Sequence, residues 1–450
     1  MSTSVSSLIG KYDIPAPRYT SYPTVPYWEN DPNPQEWMHS VAGALQRPDA
    51  AWAAYIHVPF CETLCSFCGC NTSISRNHDI EDPYVTDVLR EFDHYRQNVP
   101  ELDKAPLKEI HFGGGSPTFL SAGNLARVVE ALTSRGVIAD EHEFSIEIDP
   151  RRARADQLQT LYDLGFRRVS LGVQDFDPEV QRLINRNQPY SDTVRVSELA
   201  RSIGYTSVNF DLVYGLPAQY LETIRDTVKR TIALRPDRIA LYSYAHVPWI
   251  KGAQRLFTEA DLPSGPDKRA LYELAREMLL EAGYQEVGMD HFALEQDPLW
   301  QSALQGTLHR NFMGYTSRRT ELLLGLGSSA ISDSWDCFHQ TNKVSRKYQK
   351  EIQDTGHSTL RGHKLNAEDL ELRGYILDVA CRLKTRLPDD LYADVQDCLS
   401  EMAADGLVQF EDNWLIVTES GRAFLRNVCM GLDLRMRRNK PEARVFSQAI

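Results

Sequence analysis

Four cysteines crowd into ten residues, Cys61-Glu62-Thr63-Leu64-Cys65-Ser66-Phe67-Cys68-Gly69-Cys70, with the spacing C-x3-C-x2-C-x-C. Clustered thiolates are soft ligands that select zinc or iron–sulfur. Structural zinc closes a tetrahedron with two C-x2-C pairs, or with Cys and His. No matching second pair occurs anywhere in the chain. Three grouped thiolates on a [4Fe–4S] cluster leave one iron open, which suits chemistry better than storage. Cys70 stands apart, as a packed thiol beside the cluster and not an iron ligand.

Such a loop needs rigid elements behind it. The cysteines directly follow Tyr55-Ile56-His57-Val58-Pro59-Phe60, a β-branched and aromatic run with the character of a buried strand. Strand-like runs recur at 53–60, 108–112, 143–148, 168–173, 207–214 and 238–244. Helix-period stretches lie between most of them, among them 84–96, 125–134, 156–164, 192–203 and 220–234. Six βα units in series predict an α/β fold with a parallel sheet and helices outside, curled into a partial (β/α)6 barrel. Right-handed crossovers then bring every strand's C-terminal end to one rim, where such folds keep their chemistry.

Residue types at that rim agree. Strand two ends in Gly113-Gly114-Gly115-Ser116-Pro117-Thr118, strand three in Glu147-Ile148-Asp149-Pro150 and strand four in Gly172-Val173-Gln174-Asp175. Strand five carries Asn209-Phe210-Asp211, and strand six ends in Tyr242-Ser243-Tyr244-Ala245-His246. A single carboxylate at a strand end is usually a cap or loop anchor; repetition around one rim, facing the cysteine loop, points to a ligand cavity. Glycines without Cβ let the backbone approach a ligand closely. The run does not fit the G-x-G-x-x-G dinucleotide fingerprint.

Of the 450 residues, 42% are hydrophobic and 25% charged, as in soluble globular proteins. No run is long enough to span a membrane, and Met1–Ser7 lacks a signal pattern. Half of the eight cysteines sit in one loop, so no disulfide framework is predicted, and a reducing cytoplasm is. The net charge of −13 argues against nucleic acid as a partner. Four segments are expected: an N-terminal arm (1–50), the barrel (51–300), a barrel cap and connector (301–365), and a mostly helical, winged-helix-like C-terminal domain (366–450). Helix–helix–hairpin raises DNA binding, which the acidic residues of that segment oppose. The basic run Arg435-Met436-Arg437-Arg438-Asn439-Lys440 reads as a solvated helix end, with contact to an acidic substrate as its functional alternative.

C-x3-C-x2-C after a first strand resembles the signature of the radical SAM enzymes, whose open iron is chelated by S-adenosylmethionine. The resemblance narrows with Arg18-Tyr19-Thr20-Ser21-Tyr22-Pro23-Thr24, His57-Val58-Pro59-Phe60-Cys61, Gly69-Cys70-Asn71 and Gly172-Val173-Gln174-Asp175-Phe176. It extends through Asp211-Leu212-Val213-Tyr214-Gly215-Leu216-Pro217, Gly288-Met289-Asp290-His291-Phe292-Ala293 and His309-Arg310-Asn311-Phe312. Together these resemble the oxygen-independent coproporphyrinogen III dehydrogenase family of haem biosynthesis, from end to end.

The resemblance implies that Cys61, Cys65 and Cys68 hold the cluster. It places Tyr55, Phe67, Gly113, Gly114, Ser116, Glu147, Gln174, Arg186 and Asp211 around the cluster-bound S-adenosylmethionine. Ala245 and Ile331 match contacts to a second S-adenosylmethionine. Cys70 matches a cysteine required without ligating the cluster, and with Tyr55 takes the catalytic assignment. Ser116 stands where Thr is usual, and Met313 where the family typically has a Gln that helps hold the second cofactor. The implied reaction converts two propionates of coproporphyrinogen III to the vinyl groups of protoporphyrinogen IX through a 5′-deoxyadenosyl radical. Implied partners are the porphyrinogen and a one-electron donor such as flavodoxin or ferredoxin, with the protein a monomer. Four substrate carboxylates require a local basic patch on an acidic protein; Arg18, Arg310, Arg318 and Arg319 are the candidates. The alternatives are a radical SAM methyl or methylene transferase and a haem chaperone.

Overall fold

The computed structural model describes residues 5–30, 32–439 and 445–449. Six strands run parallel and in sequence order: β1 (Trp52–Val58), β2 (Pro106–Gly114), β3 (Val137–Ile148), β4 (Arg168–Gln174), β5 (Ser207–Tyr214) and β6 (Arg238–Ser243). Helices intervene at each crossover, including Glu81–Asn98, Ala122–Thr133, Tyr190–Ile203 and Leu221–Leu234. Their apolar faces pack Val85, Val88, Leu125, Val196 and Val228 against Ile110, Phe112, Ile146 and Phe210 of the sheet. The partial barrel predicted from the βα rhythm is the observed core.

The sheet is wider than the rhythm suggests, at thirteen strands among the described residues. Leu322–Leu326, expected to cap the open side, is a strand of the sheet itself, parallel to β1. All five of its residues are buried, as in strands covered on both faces. The sheet continues antiparallel through Ile331–Asp333, Cys337–Gln340 and Arg361–Lys364 on that side, and through His291–Leu294 and Tyr284–Val287 beyond β6.

The arm ties the two ends of the chain to the barrel. Leu8, Ile9, Tyr12, Tyr19 and Tyr22 share one apolar core with Leu372, Ile376, Leu425 and Val428 of the C-terminal helices. The Tyr19 hydroxyl donates to Asp433 Oδ2 at 3.1 Å, and Arg426 Nε donates to the Pro17 carbonyl at 3.0 Å. Trp28 stacks on Phe338 at 4.9 Å.

The expected C-terminal hairpin is Val408–Glu411 with Trp414–Val417, joined by a third strand, Lys384–Arg386. The terminal basic run is paired within the chain: Arg435 with Asp369, Arg437 with Asp394 and Arg438 with Glu368. Lys440 lies outside the described residues.

Candidate active site

Strand alternation sends every second side chain of a barrel strand inward, and here those positions are polar. β2 contributes Glu109 and His111, β3 Glu143, Ser145 and Glu147, β4 Arg168 and Ser170, β5 Asn209 and Asp211, and β6 Arg238. Register aligns them across the sheet: His111 pairs with Ser145, Glu147 with Ser170, Ser170 with Asn209, and Asn209 with Arg238. Above them lies a cavity of about 630 Å³, walled on one side by the cysteine loop.

Cys61, Cys65, Cys68 and Cys70 all line this cavity. Among the described residues, no three of His, Cys, Asp and Glu close on a single-ion centre. Burial, then the neighbouring thiols of Cys68 and Cys65, pushes the Cys61 thiol up to about 12. A hydrogen bond from Cys70 holds Cys68 down to about 6, and Cys70, sharing that bond, is raised. Gly115 keeps the loop close. A Cβ there would stand 3.0 Å from Cys61 Sγ and 2.7 Å from the Pro59 carbonyl oxygen.

Phe67, Gly114, Ser116, Glu147, Gln174, Arg186, Asp211 and Ala245 also line the cavity. Gly114 has φ +125°, and its N–H points to Glu147 Oε2 at 3.3 Å. Arg186 is buried, donating to the Gly172 carbonyl at 2.7 Å and approaching Asp149 at 3.5 Å. Asp211 accepts from Ser170 Oγ at 2.9 Å and from Asn209 Nδ2 at 3.0 Å. Burial, then the Glu147 carboxylate, raises Asp211 to about 6.

Tyr55 and Gly113 sit just behind the wall. The Tyr55 ring stacks on His111 with centroids 6.0 Å apart, and a Cβ on Gly113 would meet that ring at 2.9 Å. Ile331 is placed elsewhere, beside Phe338 in a small aromatic core. Met313 does reach the cavity wall. Of the four candidate arginines, Arg18 lines this cavity and Arg310 an adjoining chamber. Arg318 donates to the Glu141 carbonyl and Arg319 lies over Trp335.

The floor is an ionic network that the strand-end reading missed. Arg168 pairs with Glu143 at 2.9 Å, and Arg238 bridges Glu143 at 3.4 Å and Asp297 at 2.6 Å. Burial would raise Glu143, but Arg168 and Arg238 hold it down to about 2. Burial, then Glu143, raises Glu109 to about 7. The available signal was period-two spacing inside the strands, as in Glu109, His111 and Gly113 or Glu143, Ser145 and Glu147.

The donor set fits a cluster and its sulfonium cofactor. The thiols of the cysteine loop, a Cβ-free strand end and the carboxylates of Glu147 and Asp211 line the same cavity.

A model of the Radical SAM superfamily matches residues 55–231. The oxygen-independent coproporphyrinogen III oxidase of Escherichia coli (strain K12) is 38% identical over 454 residues, covering 99% of this chain and 98% of its own. The enzyme of that name from Pseudomonas aeruginosa is 36% identical over 440 residues, 95% of each. The solved structure of coproporphyrinogen III oxidase from Escherichia coli, titled a radical SAM enzyme, matches with a TM-score of 0.88 at 37% identity. That match covers 93% of this chain and 97% of the other.

Proposed function

The chain belongs to the oxygen-independent coproporphyrinogen III oxidases, an oxidoreductase family of the radical SAM superfamily, and we propose that its own residues divide that family's reaction as follows. The reaction turns two propionate side chains of coproporphyrinogen III into the vinyl groups of protoporphyrinogen IX. Each round removes a hydrogen atom from the propionate β-carbon, releases CO2 and gives up one electron. When bound, the [4Fe–4S] cluster and S-adenosylmethionine supply the carbon radical that accepts this hydrogen.

Cys61, Cys65 and Cys68 would hold the cluster, and Arg186 steadies the loop through its contact with Cys65. The bare backbone at Gly113 and Gly114 lets the cofactor's polar groups lie against the strand end. Glu147 and Asp211 are acceptors that would hold the cofactor's ammonium and hydroxyl groups, and Ser116, Gln174, Phe67 and Tyr55 would complete the shell. Barrel walls exclude water that would quench a radical. Cys70 bounds the cavity without ligating. Electrons arrive singly from a donor such as flavodoxin or ferredoxin, to a monomer. The four-segment division at 50, 300 and 365 is kept, with Leu322–Leu326 of the third segment seated in the barrel sheet.

A second S-adenosylmethionine has Ala245 on the cavity wall in its favour; Met313 offers it a thioether in place of an amide, and Ile331 packs in another core. One cofactor molecule is therefore assigned. The observation that carries the reading is the convergence of the three cysteines, Gly114, Glu147 and Asp211 on one cavity.

An anaerobic assay of the reconstituted protein with dithionite, S-adenosylmethionine and coproporphyrinogen III tests it. Protoporphyrin together with 5′-deoxyadenosine is the expected result. Deoxyadenosine without protoporphyrin would leave the radical machinery standing and remove the substrate.

A further inference from the structure

Beside the main cavity, and sharing Arg18 and Ser243 with it, is a second chamber of about 210 Å³ between the barrel rim and the C-terminal helices. Its wall holds two more guanidiniums than carboxylates, in a chain whose net charge is −13. Arg269, Arg276 and Arg422 are paired with Glu273, Glu286 and Glu419. The wall's fourth carboxylate, Asp290, is held by His291 at 2.6 Å.

The other three cations are different. Among the described residues, Arg18, Arg310 and Arg426 form no ion pair, and each spends its donors on backbone carbonyls. Arg18 donates to the Ser243 carbonyl at 2.9 Å and Arg310 to the Arg18 carbonyl at 3.3 Å, while all three nitrogens of Arg426 are taken up by the carbonyls of Ala16, Pro17, Gln448 and Ala449. Arg310 is 5% exposed, and its Nε is buried without a hydrogen-bond partner among the described residues. A buried donor left unmade costs free energy that a ligand acceptor recovers. Burial, then the charge of Arg18, brings Arg426 down to about 9. Planar guanidiniums in such a group match a carboxylate geometrically.

Size points the same way. A cavity of about 630 Å³ lies within the roughly 300–1,000 Å³ that holds one drug-sized ligand. A nucleoside cofactor and a tetrapyrrole together need more room, and the chamber opens where Arg18 stands between the two spaces.

We propose that this chamber is a carboxylate subsite, in which Arg18 and Arg310 hold a propionate that survives the reaction, with Arg426 adding positive charge behind them, and so turn a reacting propionate toward the cysteine loop. The inference rests on the porphyrinogen reading above. Arg18 is the residue to change, since it is exposed and its one hydrogen bond is to the Ser243 carbonyl.

Binding is read by porphyrin fluorescence on the anaerobic holoenzyme, with three probes. Coproporphyrin III carries four carboxylates, protoporphyrin IX only the two that survive, and coproporphyrin tetramethyl ester none. Arg18→Gln should weaken the first two by about 10-fold or more and leave the ester unchanged. Arg18→Lys should recover much of the loss, and KM for coproporphyrinogen III should rise while kcat stays within about threefold. Equal affinities in wild type and Arg18→Gln, or an equal loss with the ester, overturns the subsite. Wild type that binds the acids through Arg18 yet makes no protoporphyrin keeps the subsite and discards the reaction.

Discussion

The guanidinium of Arg186 lies 3.8 Å from the sulfur of Cys65, 121 residues away in sequence. The same side chain fixes the Gly172 carbonyl at 2.7 Å, so the segment that follows the helix Pro178–Leu183 ties β4 to the cysteine loop. A cation beside a cluster ligand stabilises the more negative, reduced state. Arg186→Met should still assemble a cluster of ordinary brown absorbance, with a lower reduction potential and S-adenosylmethionine cleavage slowed by about 10-fold. Redox titration followed by EPR measures the first effect. An unchanged potential would reduce Arg186 to a packing residue.

Asp211 is placed for function at the cost of stability. Its carboxyl titrates near 6 in the fold, against 3.8 ordinarily, because burial and then Glu147 disfavour the charge. The folded state therefore binds the proton more tightly, and this group's contribution to stability falls as pH rises from about 4 to about 6. Asp211→Asn should stabilise the protein at pH 7 by about 1–3 kcal/mol and make no difference near pH 4. S-adenosylmethionine binding should tighten in wild type as pH rises through about 6, and stay flat and weak in the variant. Calorimetry at pH 5 and pH 7.5 checks both; a variant that binds as wild type does removes Asp211 from the cofactor shell.

Gly114 and Gly43 make a matched pair of glycine-to-alanine tests. At Gly114 a Cβ would lie 2.6 Å from the Val58 carbonyl oxygen, in a backbone at φ +125°. Gly114→Ala should cost about 2–5 kcal/mol and displace the strand end that lines the cavity. Gly43 lies inside the helix Pro34–Leu45 with nothing within 4 Å of its would-be Cβ. Gly43→Ala should stabilise by about 0.5–1 kcal/mol. Denaturant titration compares them, and equal midpoints would mean that the strand end yields freely.

The parts legible in sequence are those whose signal is local. The cysteine spacing, the βα alternation and the strand-end run from Gly113 to Thr118 each sit within a few residues, and the cavity gathers them. Arg168, Glu143 and Arg238 were missed because each stands at the start of its strand run, away from the C-terminal rim, and their pairing joins three strands that are distant in sequence. Leu322–Leu326 was hidden for the opposite reason. A short all-apolar run looks alike as a cap and as a buried parallel strand, and only its register with β1 decides. The arm's role was half visible: aromatic density showed that it packs, but not that Arg426, more than 400 residues on, would hold Pro17.

Met313 gives the sharpest test of how many cofactor molecules the barrel takes. It lines the cavity, its N–H donates to Asn311 Oδ1 at 2.9 Å, and its side chain offers a weakly accepting thioether. An amide there could both donate to and accept from a second S-adenosylmethionine. Wild type should therefore retain about one equivalent of radiolabelled cofactor through anaerobic gel filtration, and Met313→Gln should retain more. Product formation should persist in wild type, since Cys61, Cys65, Cys68, Glu147 and Asp211 are untouched by this position. Two tightly held equivalents in wild type would show that Ala245 and its neighbours suffice without the amide.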